Sequence, residues 1–94
     1  MISEELKNDK NLVLEICHNS GNALKYVSEE LKNDKEVVLT AVSQSGESLE
    51  FAPEKFKSDF EVVLAAVKQD GFSIDYASPA LKNNKEIAME AVKE

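Results

Sequence analysis

Cys17 and His18 are the one place in this 94-residue chain where a nucleophile and a base adjoin. A thiol with an imidazole in reach could serve acyl transfer. Neighbours on a helix, however, point about 100° apart and do not meet face to face. Asp9, Asp34, Asp59 and Asn84 form a second set, recurring at fixed spacing. Carboxylates can hold Ca²⁺ or Mg²⁺, but a calcium loop concentrates several oxygen ligands at alternate positions. Here each position offers a single Asp or Asn preceded by Asn or Ser. Tyr26, Phe51 and Tyr76 could stack bases, yet each stands beside an apolar partner, Leu24, Leu49 or Ile74, which marks them as core aromatics. A Gly-rich phosphate loop, a His-rich helix motif and a nucleophile elbow are all missing. The sequence therefore predicts no catalytic constellation, no metal and no cofactor, and the chain is expected not to be an enzyme.

The elements that carry these residues are set by a repeat. "SEELKNDK" stands at Ser3 to Lys10 and again at Ser28 to Lys35, and sliding the chain by 25 residues aligns nearly all of it. The single domain 1–94 divides into units 3–27, 28–52 and 53–77 and a partial unit 78–94. A fixed period of this length is the mark of stacked repeats. Asp9, Asp34, Asp59 and Asn84 precede an apolar-periodic segment that stops at Gly21, Gly46 and Gly71. Asp or Asn can cap the free N–H groups of a first turn, and Gly tolerates a left-handed helix end. Glu36, Glu61 and Glu86 suit the positive end of the helix dipole. Each unit thus holds a helix of about 11 residues, a common globular length. In the second, Val37, Val38, Leu39, Ala41 and Val42 form an apolar arc wide enough for neighbours on more than one side.

After each glycine a shorter apolar set reads as two helical pieces broken near residues 28, 53 and 78, with Ser28 and Ser78 as caps and Pro79 at a first helical position. The second piece is short enough to be a single 3₁₀ turn. The fold class is all-α, tandem 25-residue repeats stacked as a short α-solenoid. In this register Cys17 shares a phase with Val42, Val67 and Val92, whereas His18 shares one with Ser43, Lys68 and Lys93. A buried thiol and a solvated histidine follow. Met1 and Ile2 fall in the phase of Tyr26 and Val27, and neither end carries a polar cap, so the chain is expected either to be a segment of a longer array or to pack its ends on another domain or on another copy, as end-to-end self-association.

The formal charge is −7, from 18 acids against 11 bases, all of the bases Lys. An acidic field without arginine disfavours nucleic acid and anionic membranes as partners. No apolar run approaches the roughly 18 residues of a membrane span, and the acidic start is unlike a secretory signal. One cysteine cannot form an internal disulfide, so a reducing, cytoplasmic setting is expected.

The unit "ALKYVSEELKNDKEVVLTAVSQSG", Ala23 to Gly46, and its neighbour "SLEFAPEKFKSDFEVVLAAVKQDG", Ser48 to Gly71, resemble the repeat family called domain of unknown function 4116. The shared pattern is Leu, an aromatic, Ala or Val, then Leu or Phe, Asp, Val-Val-Leu, Ala-Val and Gly. The resemblance implies a tandem helical repeat found in larger proteins, without an established activity or catalytic residues. Function is then sought where the copies disagree. Phe60 replaces the Lys at 10, 35 and 85, Ala65 replaces Glu15, Thr40 and Glu90, and Phe72 replaces Asn22 and Glu47. Apolar residues at polar phases are candidates for contact with a protein partner. The leading expectation is a protein-interaction module, and the alternative is a structural spacer with no ligand of its own.

Overall fold

The computed structural model describes residues 8–93, so the first copy of "SEELKNDK", from Ser3, and the expectation for Met1 and Ile2 lie largely or wholly outside the described residues. Four long helices recur at the repeat period: α1 (Lys10–Asn19), α3 (Lys35–Gln44), α5 (Phe60–Gln69) and α7 (Lys85–Val92). Each starts where an Asp or Asn side chain accepts backbone N–H groups: Asp9 from Leu12, Asp34 from Glu36 and Val37, Asp59 from Glu61 and Val62, and Asn84 from Ile87. That capping satisfies donors no helical carbonyl can reach.

Between long helices the order of the two short pieces differs from the expectation. The piece after the glycine is the 3₁₀ helix, η1 (Gly21–Tyr26), η2 (Gly46–Phe51) and η3 (Gly71–Tyr76). The second is a single α-turn, α2 (Glu29–Lys32), α4 (Glu54–Lys57) and α6 (Pro79–Lys82). The 3₁₀ winding eclipses side chains three apart. It thereby sends Gly21 and Leu24, or Gly46 and Leu49, into the core together. Ser28 Oγ accepts from Leu31 N at 3.3 Å as a cap should. Ser78 holds the equivalent position, but its buried hydroxyl makes no hydrogen bond.

The glycines also act differently from the expectation. None of them has positive φ; the long helices end in extended backbone at Ser20, Ser45 and Asp70. A Cβ on Gly21 would strike Ala41 O and lie 2.9 Å from Ser45 Cβ, and one on Gly46 would strike Ala66 O and Ser73 Oγ. Glycine is needed because the backbone of the next unit passes there.

The long helices form one row, each packed on the next, and η1, η2 and η3 form a second row stacked behind it. The wide apolar arc is accounted for: Val37, Val38, Ala41 and Val42 are buried between α1 and α5, and Val62, Val63, Ala66 and Val67 repeat this one unit on. Leu24, Leu49, Leu31 and Phe56 complete the core from the 3₁₀ and single-turn pieces. Among the described residues no helix is long and apolar enough to cross a membrane.

Candidate functional site

Two of the residues that could have suggested a metal, Asp34 and Asp59, are occupied on both oxygens. Asp34 Oδ1 caps α3 through Glu36 N at 2.9 Å while Oδ2 takes Lys10 Nζ at 2.9 Å, and the same ammonium reaches Glu36 at 3.1 Å. One unit later Lys35 Nζ lies 3.1 Å from Asp59 and 2.8 Å from Glu61, with Asp59 Oδ1 capping α5. The bond from Lys10 holds the Asp34 carboxyl below its ordinary value, helped by the cap bonds, although burial opposes it. At Asp59 burial pushes upward, but the Lys35 bond and the N–H groups of Val62 and Glu61 outweigh it. Asp34 raises the pKa of Lys10 first and Glu36 second; for Lys35 the order is Glu61, then Asp59. Lys10 and Lys35 therefore clamp one unit to the next.

The third joint loses the lysine and the aspartate of this clamp and keeps only its glutamate, Glu86. Phe60 stands in the lysine phase, and the facing cap is Asn84 rather than Asp. An uncharged residue on one side leaves no ammonium for a carboxylate on the other to meet, so Phe60 belongs with Asn84 as one change. Cys17 is fully buried and burial pushes its thiol pKa up, the opposite of an activated nucleophile. His18 is exposed in the last turn of α1. Among the described residues no cluster of three or more His, Cys, Asp or Glu is placed to hold a metal ion.

The repeated aromatics are core residues only in part: Tyr26 is 48% exposed and lies outside the core, whereas Phe51 and Tyr76 are half-buried and pack against it, each at the C-terminal end of a 3₁₀ helix. They run along the surface of the η row. Lys25 Nζ lies 5.1 Å from the Tyr26 ring centre and 5.8 Å from that of Phe51, spanning two units. Asn22 Nδ2 donates to Glu47 Oε1 at 3.0 Å along the same surface.

The three contact candidates are not gathered in one patch. Phe60, 39% exposed, opens α5, whereas Phe72 follows its far end and is 83% exposed. Ala65 is half-buried and packs against the core. Phe72 alone joins other chemistry: with Glu47, Asp70, Ser73, Asp75 and Tyr76 it lines a cleft between η2 and η3. Sequence reasoning missed this cleft because it placed the aromatics inside; the change from Lys25 to Glu50 and Asp75 at one phase was the available signal.

A row of capped helices backed by a row of 3₁₀ helices, with joints repeated unit by unit, defines a tandem helical-repeat protein. The chain belongs to the family described as Domain of unknown function (DUF4116), which it matches over four overlapping segments, residues 1–32, 9–57, 34–82 and 59–94. Neither a curated protein nor a solved structure matches it.

Proposed function

We propose that the chain is a protein-interaction module whose contact face is the surface of the η row. The observation that carries this reading is Phe72, a phenylalanine 83% exposed beside half-buried Tyr76 in a chain whose other units place Asn22 and Glu47 at that phase. A large ring left in water contributes nothing to folding, while aromatic residues at surfaces are the usual anchors of interfaces. The test is affinity capture from native lysate with the natural chain and with Phe72→Glu, using Phe60→Lys as a second variant. Loss of captured proteins with Phe72→Glu is expected; an unchanged set with both variants overturns the reading.

The spacer reading has its own support in the elongated shape, 41 × 22 × 17 Å, and in the clamp repeated at two joints. It requires Phe72→Glu to change no interaction. End-to-end association is proposed through α7, where exposed Met89 stands in the phase of half-buried Leu14, Leu39 and Leu64 and Lys85 in that of the clamp lysines. Sedimentation at rising concentration tests it, and a strict monomer excludes it.

A further inference from the structure

We infer, building on the interaction reading above, that the cleft between η2 and η3 is a seat for one lysine side chain of a partner protein. The first cleft of the η row, between η1 and η2, is lined by Asn22, Lys25, Glu47, Glu50 and Phe51. One repeat later these positions are Glu47, Glu50, Phe72, Asp75 and Tyr76, and four of these five line the second cleft. The two clefts are copies.

In the first copy the chain supplies its own cation. Lys25 lies over Tyr26 and Phe51, within the reach at which a ring face attracts an ammonium. In the second copy the residue at the Lys25 phase is Glu50, which does not line the cleft, so the internal cation is gone. The second cleft is lined by Glu47, Asp70 and Asp75 with Phe72 and Tyr76, and by no base. Glu47 Oε1 is engaged by Asn22 and Asp70 Oδ1 by Phe72 N; the second oxygen of each and the Asp75 carboxylate have no hydrogen bond among the described residues. Ser73 lines the same wall, but its buried hydroxyl has no hydrogen-bond partner and packs toward Gly46, unlike that of Ser48, whose Oγ donates to Ser45 O at 2.8 Å.

The cavity measures about 210 Å³. That is below the roughly 300 to 1,000 Å³ of small-molecule sites, and suits one long side chain. Acids and ring faces together select an ammonium over an apolar group of equal length.

The test is an amide NMR titration of the full chain with a capped hexapeptide of alternating Ser and Lys, in 0.15 M salt (about an 8 Å screening length). Saturable shifts at Glu47 to Phe51 and Phe72 to Tyr76, with roughly millimolar affinity for a single exposed seat, are expected. The same peptide with norleucine for lysine should give none. Glu50→Lys, which restores an internal cation as at Lys25, should abolish saturation. Glu30→Lys, the same charge change away from the η row, should leave it within about twofold. Absent or equal shifts with the norleucine peptide, unchanged binding by Glu50→Lys, or equal loss in Glu30→Lys overturn the seat. If the seat fails while Phe72→Glu still loses captured proteins, the interaction reading stands without it; if capture is indifferent and the titration succeeds, the seat stands alone.

Discussion

At the scale of single residues, the joint between units is decided by the absence of a side chain. Gly46 faces Ala66 O and Ser73 Oγ of the following unit, and a carbonyl inside a helix cannot retreat without disturbing its own hydrogen bonds. Gly46→Ala should therefore destabilise the chain by about 1–3 kcal/mol through overpacking, measured as a lower urea midpoint at unchanged slope. Adding Ser73→Ala removes one of the two obstructions and should recover only part of the loss, since the backbone contact stays. Full recovery would mean that the Ser73 hydroxyl, not the passing helix, demands glycine. A left-handed helix end was the natural expectation from the sequence, and only the backbone's path separates the two explanations.

At the scale of elements, the long helices were legible and the connections were not. Asp and Asn before apolar runs mark caps by themselves, and Pro79 marks a first turn, because these are local signals within a few residues. The 3₁₀ winding of η1 to η3 was placed in the wrong piece: an apolar pair three apart, such as Leu24 and Val27, fits either helix type until neighbours fix the pitch. Nor was the clamp read, although Lys10 and Lys35 stand 24 and 26 residues before their acids, a spacing with meaning only once units are stacked. The cleft was invisible for the same reason. The clamp makes its own prediction at the third joint. Phe60→Lys alone should reach only Glu86 and gain little from Asn84, and Asn84→Asp alone should find no ammonium, whereas the pair together should be more stable than the sum of the two. A double-mutant cycle in denaturant measures this coupling, which should shrink as salt rises because the clamp lies at the surface. Strict additivity would mean that Phe60 has repacked the joint beyond restoration.

At the scale of the molecule, a stack in which each unit touches only its neighbours unfolds most readily where burial is thinnest. Four side chains are buried in each of α3 and α5, but only Ile87 in α7. Amide exchange should accordingly be at least about tenfold faster in α7 than in α3; equal protection would make the whole chain one cooperative unit. The clamps also give the stack a pH profile with two edges. Asp34 and Asp59 have folded pKa values below their ordinary 3.8. Their contribution is present above the unfolded value and is lost as pH falls through the lower folded one. Lys10 and Lys35 are raised above 10.5, so theirs is present below that value and lost as pH rises through the higher folded one. Between these edges the net charge of −7 shrinks as pH drops from 7 toward 4.7, which relieves self-repulsion. The melting temperature should thus hold or rise from pH 7 to about 5, then fall through the acid edge. Asp34→Asn with Asp59→Asn keeps a capping oxygen at each helix, as Asn84 does, but removes the titrating groups. That variant should be less stable at pH 7 and show a shallower acid edge, and an unaltered edge would assign acid sensitivity to carboxylates outside the joints.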